Sequence, residues 1–311
     1  MQRTSMGADT PSVLVGAKRA QRTRSVNRSW TNYLYIIPLF VFILGFVYFA
    51  IGYTIYVSFL DWNGISRRRE FIGLENFAEM LDDRIILRAL RNTALFGILA
   101  IVIQMLLGFL LAVLLKTRVR FKTVYKTIFF LPVVLAPAVI SYIFRHIYQA
   151  EGGALNTLLE AVGLGSLQQA WLADPSFALY ALTLINIWQW TGFSFLLYFA
   201  ALTLIDEHLY EAARIDGASF MQVLRHITFP LLRSTHLTLV ILGIIGALKT
   251  FDIVYLTTGG GPGRSTEFMS TYIFKEAILE YNAGYAAALA LFVVLLCVVS
   301  TAIQLSLYRN Q

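Results

Sequence analysis

Residues 92–115 read NTALFGILAIVIQMLLGFLLAVLL, a run that contains no Asp, Glu, Lys or Arg. A helix of about 20 mostly apolar residues is long enough to cross the hydrocarbon core of a bilayer. Similar charge-free runs occur at residues 29–60, 127–144, 175–205 and 281–308. These five runs predict an all-α, polytopic membrane protein.

A sixth apolar stretch follows Arg233 and is interrupted by Lys249 and Asp252. Charged groups inside a membrane are costly and often functional, so this stretch is the most informative of the six. The permease-like region is predicted over residues 31–308. Its predicted spans are about residues 33–60, 92–115, 125–148, 177–205, 235–258 and 285–308. An even number of spans places both termini on one side of the membrane.

The composition is that of a membrane protein, because 58% of the 311 residues are hydrophobic and only 14% are charged. Soluble domains contain roughly 25% charged residues. The net charge of +7 could indicate nucleic-acid binding, but its distribution follows the positive-inside rule. With the amino terminus inside, the inner segments carry fifteen Lys and Arg residues and the outer segments eight. We therefore predict cytoplasmic termini and contact with membrane lipid, not with nucleic acid.

Several classes of site are absent from the sequence. Residues 1–30 are basic and lack the apolar core of a signal peptide, so we expect a disordered cytoplasmic tail. The single cysteine, Cys297, excludes an internal disulfide, and the four histidines lack zinc-ligand spacing. No connection reaches the roughly 50 residues of an independent catalytic domain. Energy for active transport would then come from an ion gradient or from another polypeptide.

The connection between the fourth and fifth predicted spans, residues 206–234, contains EAARIDGAS at 211–219 and RHITFPLL at 225–232. Helix-forming residues precede Gly217, which suits a helix end that requires a left-handed residue. Ser219 can cap the next helix, and Pro230 can end that helix or kink its junction with the fifth span. Periodicity alone would also allow an ordinary amphipathic loop packed under the bundle.

The order and spacing of these residues resemble the EAA loop of permease subunits in binding-protein-dependent ABC importers. The matching positions are Glu211, Ala212, Ala213, Asp216, Gly217, Ala218, Ile227 and Pro230. Two positions depart from the family pattern, Leu224 in place of a frequent Phe and Asp206 in place of a frequent Pro. The resemblance implies a type I importer fold and a coupling helix that docks on a cytoplasmic ATPase subunit. Glu211 and Gly217 are the positions expected to matter most for coupling.

Four further stretches are similar to the carbohydrate-type branch of these importers, which includes the maltose and glycerol-3-phosphate permeases. They are FIGLENF at 71–77, FLP at 130–132, IWQW at 187–190 and FDIVYLTTGGGPG at 251–263. The resemblance implies a second homologous permease subunit, a dimer of cytoplasmic ATPase subunits and an extracytoplasmic solute-binding protein, assembled at a bacterial or archaeal plasma membrane. ATP and Mg would be used by the partner ATPase. This chain would be a transport subunit, without a cofactor, metal or catalytic residue of its own.

Candidate solute contacts are Trp188, Gln189, Trp190, Lys249, Phe251, Asp252 and Tyr255, with Asn186 and Tyr198 as lesser candidates. Aromatic faces beside an amide suit a sugar, which presents apolar C–H faces and hydroxyl edges. The tryptophans could instead pack between helices, and Lys249 and Asp252, three residues apart on a helix, could form a structural pair. Because the spans contain so few cations, a neutral carbohydrate is favoured over a phosphate.

Two other classes of protein would account for less of this sequence. A gradient-driven secondary transporter would explain six spans and an intramembrane charge pair, but not the coupling-loop pattern. Such transporters often contain internal repeats, and none is apparent in this sequence. An intramembrane enzyme would need a nucleophile, a metal cluster or paired acids within the spans, and Asp252 alone is insufficient. The sequence therefore favours an ATP-driven importer subunit for a sugar or sugar-like solute.

Overall fold

The computed structural model describes residues 35–116 and 120–309. The predicted tail, residues 1–30, lies outside the described residues. The chain divides into two units between residues 50 and 51. In the first unit the described part is helical from Ile37 and includes a π-helical turn at Leu44–Tyr48.

The described part of the chain is almost entirely helical, which confirms the predicted all-α class. Its short strands, β1 Leu60–Asp61 and β2 Glu70–Phe71, form a small antiparallel hairpin. The helices are α1 Ile37–Val57, α2 Glu75–Asp82, α3 Arg84–Lys116, α4 Lys122–Val134, α5 Pro137–Ile147, α6 Ala154–Ala161, α7 Ala178–Thr203, α8 Glu207–Ile215, α9 Phe220–Leu231, α10 Arg233–Lys249, α11 Asp252–Thr257, α12 Met269–Phe274 and α13 Ala283–Arg309.

Three described helices, α1, α3 and α13, are each long and apolar enough to cross a membrane alone. Three bent pairs also qualify, with angles of 94° between α4 and α5, 73° between α7 and α8, and 63° between α9 and α10. The described residues thus contain three to six candidate spans. The upper number equals the number predicted from the charge-free runs.

Two of the predicted spans are not single straight helices. The span predicted at 125–148 is divided between α4 and α5, with Leu135 and Ala136 extended at ψ 137°. Proline disfavours the helical conformation in the residue before it, so the helix stops there and α5 begins at Pro137. The span predicted at 235–258 is divided too, because α10 ends at Lys249 and Thr250 is extended.

Close contact between helices depends on small residues. A Cβ atom at Gly192 of α7 would lie 1.9 Å from the carbonyl oxygen of Phe129 in α4. A Cβ atom at Gly108 of α3 would lie 2.7 Å from the backbone nitrogen of Phe195 in α7. The backbone of α7 therefore packs directly against α3 and α4, as is common where membrane helices present small residues to each other.

Helix α3 begins at Arg84, well before residue 92, because Asp83 supplies a cap that the charge-free window could not reveal. The Ile85 N–H donates to Asp83 Oδ1 at 2.7 Å. The hydroxyls of Tyr272 and Tyr285 donate to Asp83 Oδ2 at 2.5 and 2.8 Å. Burial raises the pKa of the Asp83 carboxyl, but these hydrogen bonds and the charge of Arg264 outweigh burial and hold the pKa below its ordinary value. Asp83 thereby ties the start of α3 to α12 and α13.

Replacing Gly192 with alanine should destabilise the protein, because the new methyl group has no space beside Phe129. We expect Gly192→Ala to lower the free energy of unfolding by about 1–3 kcal/mol, the usual cost of overpacking. Gly52→Ala is the matched control, since a Cβ atom at Gly52, also in a helix, would meet nothing within 4 Å. Thermal unfolding of both variants in detergent measures the difference, and equal melting temperatures would contradict the packing described.

The carboxylate of Asp83 should make stability depend on pH. A carboxyl whose pKa is lowered by folding stabilises the native state above its unfolded pKa, and this contribution is lost as pH falls through the folded pKa. We expect Asp83→Asn to be less stable than wild type at neutral pH by about 1.5–3 kcal/mol, the range for hydrogen bonds to a charged group. As the pH falls below about 4, the difference should shrink. Melting temperatures measured across this range test the prediction, and a difference independent of pH would contradict it.

Candidate functional site

The predicted coupling residues lie at the junction between α8 and α9. Gly217 ends α8 in the left-handed conformation, with φ +74°. The Ala218 N–H donates to the Ala213 carbonyl at 2.9 Å, and the Gly217 N–H donates to the Arg214 carbonyl at 3.1 Å. This pair of bonds is a Schellman motif, which closes a helix end with a residue that tolerates positive φ. The predicted helix end at Gly217 is confirmed.

Both short helices of the loop start from a side-chain cap. Ser219 Oγ accepts the Gln222 N–H, and Gln222 Oε1 accepts the Ser219 N–H at 2.7 Å, which forms a capping box. The predicted cap at Ser219 is therefore confirmed. Asp206 caps α8 by accepting the His208 N–H at 3.0 Å. The aspartate that departs from the family pattern thus supplies an acceptor that a proline could not.

Most of the coupling residues face outward. Glu211, Ala212, Asp216 and Gly217 are exposed, whereas Ala213 is buried and Ala218 is half-buried. The described partner of Glu211 is His208, whose Nδ1 lies 3.2 Å from Glu211 Oε2. Ile215 is 85% exposed at the end of α8, next to the exposed Phe220 and Met221 of α9. The loop therefore presents a mixed apolar and acidic surface.

Lys116 joins the coupling helix to the bundle. Its Nζ atom donates to the Leu202 carbonyl at 3.1 Å and lies 4.0 Å from the centre of the Tyr210 ring. The Thr228 hydroxyl also donates to the Tyr210 hydroxyl oxygen, at 3.4 Å. These contacts connect α8 with the ends of α3 and α7 and with α9.

A cavity of about 290 Å³ lies between α3, α7 and α10. Gln104 of α3 and Asn186 of α7 place a polar pair in its wall, with Gln104 Nε2 donating to Asn186 Oδ1 at 2.8 Å. The rest of the wall is apolar, small or hydroxyl-bearing. It consists of Phe96, Gly97, Ala100, Ile101, Trp190, Phe193, Ser194, Leu239, Leu242, Gly243, Gly246, Ala247 and Thr250. No charged side chain of the described residues lines this cavity.

The aromatic and amide side chains predicted to contact the solute point to different sides of α7. Trp190 lines the cavity, whereas Trp188 packs edge-on against Phe144, with 5.3 Å between ring centres. Gln189 is buried but is absent from the cavity wall. Residues two apart on a helix point to nearly opposite sides, so one face cannot hold both tryptophans. Of the two lesser candidates, Asn186 lines the cavity and Tyr198 does not.

The predicted candidates after α10 also lie outside the cavity. Phe251 and Tyr255 stack on each other, and Phe274 lies 4.9 Å from Tyr255 between ring centres. The prediction that Lys249 and Asp252 share a helix face is wrong, because the helix is broken between them. Both are exposed, and they form none of the ion pairs of the described residues.

A buried ion pair does occur, at a position that the sequence pattern did not indicate. Lys275 Nζ lies 2.5 Å from Glu267 Oε2, and Glu267 is fully buried. The turn at 259–263 packs against it, since a Cβ atom at Gly260 would lie 2.8 Å from both charged atoms. Gly259, Gly260 and Gly263 all have positive φ, a conformation that glycine adopts without steric cost.

Comparison with known proteins connects this arrangement with a family. A model of the family described as "Binding-protein-dependent transport system inner membrane component" matches residues 104–310. The probable ABC transporter permease protein YurN of Bacillus subtilis is 37% identical, over 89% of this chain and 96% of its own length. The trehalose/maltose transport system permease protein MalF of Thermococcus litoralis is 30% identical, over 85% and 90%. The sulfoquinovosyl glycerol transport system permease protein SmoG of Agrobacterium fabrum is 31% identical, over 89% and 90%.

A solved structure has the same fold. It is a bacterial ABC transporter involved in the import of the acidic polysaccharide alginate, and a chain of it superposes with a TM-score of 0.79. The match covers 91% of this chain and 96% of that chain, at 22% sequence identity. A second structure of the alginate transporter, in complex with an alginate pentasaccharide-bound periplasmic protein, matches with a TM-score of 0.80. The predicted permease-like fold is thereby confirmed.

Proposed function

We propose that this chain is the membrane-spanning subunit of an importer for a sugar or sugar-like solute, driven by ATP hydrolysis in a partner protein. The chain belongs to the family of inner-membrane components of binding-protein-dependent transport systems. Family membership confirms a transport subunit in place of an enzyme. It also disfavours a gradient-driven transporter, because the family depends on a binding protein.

The observation that carries this proposal is the exposed α8–α9 junction, whose EAA-type residues lie within the matched region. The Schellman motif at Gly217 fixes the shape of the junction, and Lys116 attaches it to the ends of α3 and α7. A partner that pushes on α8 would therefore displace membrane helices as well. ATP and Mg would bind to that partner and not to this chain.

The proposed complex contains a second homologous permease subunit, a dimer of cytoplasmic ATPase subunits and an extracytoplasmic solute-binding protein. The periplasmic protein in the alginate transporter complex supports the last of these. Docking on a cytoplasmic ATPase requires residues 206–234 to face the cytoplasm. That orientation also gives the larger number of Lys and Arg residues to the inner side and places both termini there.

The cavity supports a neutral carbohydrate as the solute. Gln104 and Asn186 supply amide groups that can bind hydroxyls, and Trp190 supplies an aromatic face for sugar C–H groups. An uncharged wall would give no compensation for burying a phosphate or a carboxylate. The name of MalF, which refers to trehalose and maltose, supports a neutral glycosidic compound.

Replacing Gly217 with proline should abolish both sugar-stimulated ATP hydrolysis and transport. Proline cannot adopt φ +74° and has no N–H for the Arg214 carbonyl, so the Schellman motif is lost. We expect the variant complex in proteoliposomes to lose sugar-stimulated ATP hydrolysis and uptake. The assay supplies the binding protein and a panel of glucose, maltose, trehalose and glycerol 3-phosphate.

Gly163 offers a matched control at the end of α6. It has φ +78°, and the bonds from Gly163 to Glu160 and from Leu164 to Leu159 repeat the same motif outside the coupling loop. Gly163→Pro should retain most of the stimulated hydrolysis. If Gly217→Pro does not assemble, Glu211→Ala tests the same surface, since it removes an exposed side chain. Full stimulated activity in Glu211→Ala and Gly217→Pro would contradict the proposed coupling surface. Uptake driven by an ion gradient, without the ATPase, would contradict the proposal of an ATP-driven importer.

Substitutions in the cavity should change the affinity for the solute. We expect Trp190→Ala and Gln104→Leu to raise the KM for uptake roughly tenfold or more, since each removes a contact worth about 1–3 kcal/mol. Trp188→Ala is the control, because Trp188 lies on the same helix outside the cavity. Initial rates of sugar uptake over a range of concentrations measure KM. Equal effects of the two tryptophan substitutions would show that the cavity is not the solute site.

A further inference from the structure

A hydrogen-bonded chain of three groups connects α7, α10 and the end of α9. The Tyr198 hydroxyl lies 2.7 Å from His236 Nδ1, and His236 Nε2 lies 3.1 Å from the Phe229 carbonyl oxygen. Tyr198 is only 1% exposed and His236 is half-buried. The chain therefore reaches from a buried position in the last turns of α7 to the point where residues 206–234 continue into α10.

The pattern of donors and acceptors fixes the state of the imidazole. A carbonyl oxygen can only accept, so His236 Nε2 carries a proton and donates it to the Phe229 oxygen. In a neutral ring Nδ1 is then an acceptor, and the Tyr198 hydroxyl donates to it. Each partner satisfies the other, so the ring is held in a single orientation between α7 and the end of α9.

The carbonyl of Phe229 lies next to the bend between α9 and α10. Helix α9 ends at Leu231, α10 begins at Arg233, and the two meet at 63°. Pro230 has no N–H to contribute to the helical ladder here. The Phe229 oxygen accepts a long bond of 3.3 Å from the Leu232 N–H, and His236 supplies a second donor. Leu232 lies between the two helices, and a few element-terminal residues of this kind can act as a hinge by absorbing a change in φ and ψ.

Aromatic packing holds the same bend against the bundle. The Phe109 ring of α3 meets Tyr198 and Phe229 edge-on, with 5.6 and 5.9 Å between ring centres. The His236 ring lies 4.3 Å from the Phe229 ring. Leu232, at the bend itself, is buried in the same cluster as Phe109 and Tyr198. The bend is therefore packed on two neighbouring helices in addition to being hydrogen-bonded.

We propose that His236 is a positioning residue for transport, which makes the coupling loop and the start of α10 move as one body with α7. Without it, displacement of α8 and α9 by the ATPase would be absorbed by bending at Pro230. With it, the displacement reaches the helices that line the cavity. This inference rests on the proposed function, since it concerns how movement of that loop is transmitted. Lys116 attaches the α8 end of the loop, and His236 attaches the α9 end.

The test compares uptake with hydrolysis in proteoliposomes that contain the whole complex and its binding protein. The sugar is the one from the panel of glucose, maltose, trehalose and glycerol 3-phosphate that stimulates the wild type. We expect His236→Ala to lower the amount of sugar moved per ATP hydrolysed by about 3- to 10-fold, the factor that corresponds to one net hydrogen bond. The KM for the sugar should not change, because His236 is absent from the cavity wall.

Conservative variants separate positioning from general stability. In His236→Gln the amide can still donate to the Phe229 oxygen and accept from the Tyr198 hydroxyl, so most of the coupling should return. Tyr198→Phe removes one hydroxyl and should lower the coupling ratio in the same direction. Combined with His236→Ala it should add no further loss, since both act through one chain of bonds. His146→Ala is the control, because its ring is exposed and bonds to Tyr142 within its own helix.

The possible results distinguish a failure of this inference from a failure of the proposed function. A wild-type coupling ratio in an assembled His236→Ala complex would overturn the inference and leave the importer intact. Equal losses in His236→Gln and His236→Ala would also overturn it. If His236→Ala does not assemble, the coupling ratio of Tyr198→Phe decides the question. Absence of ATP-dependent uptake in the wild type would instead overturn the proposed function, and this inference with it.

Discussion

The structure depends on one constraint, which is that backbone polar groups within a membrane must find partners inside the protein. Long helices meet this constraint automatically, but helix ends and breaks do not. Three of the helix ends and bends described in this chain, inside or outside the predicted spans, are closed by local groups. Asp83 caps the start of α3, the Gly217 motif closes α8, and His236 bonds to the bend after Pro230.

Local contacts also give the coupling segment a defined shape, although it lies outside the predicted spans. Residues 206–234 contain two short helices that are too brief to be stable by propensity alone. Side-chain caps at Asp206 and Ser219 start them, and a left-handed glycine joins them. Contacts of Lys116 and Tyr210 then fix the segment to the bundle. Its outer surface remains free for a partner because the inner contacts already satisfy its backbone.

The sequence predicts the class of fold and the helix ends of the coupling loop better than it predicts the cavity. Charge-free runs reveal helices because lipid excludes charge, and Gly217 reveals a helix end because few residues tolerate positive φ. The break between Lys249 and Asp252 could not be foreseen, since nothing local marks Thr250 as extended. The sequence predicts only some of the cavity residues, and the reason is different. Its members come from three helices, and the rotation of each helix is set by packing, as the separation of Trp188 and Trp190 shows. Gln104, a lone amide in the middle of an apolar run, was the available clue to this site.

The contact of Gly192 with the Phe129 carbonyl has a consequence for how the membrane part can move. Side chains at most interfaces can change rotamer and so allow neighbouring helices to slide by small steps. At this contact the backbones themselves touch, with no side chain between them to adjust. Helices α4 and α7 must therefore move as one rigid unit during any conformational change. The sliding that opens one side of a pore has to occur at other helix interfaces.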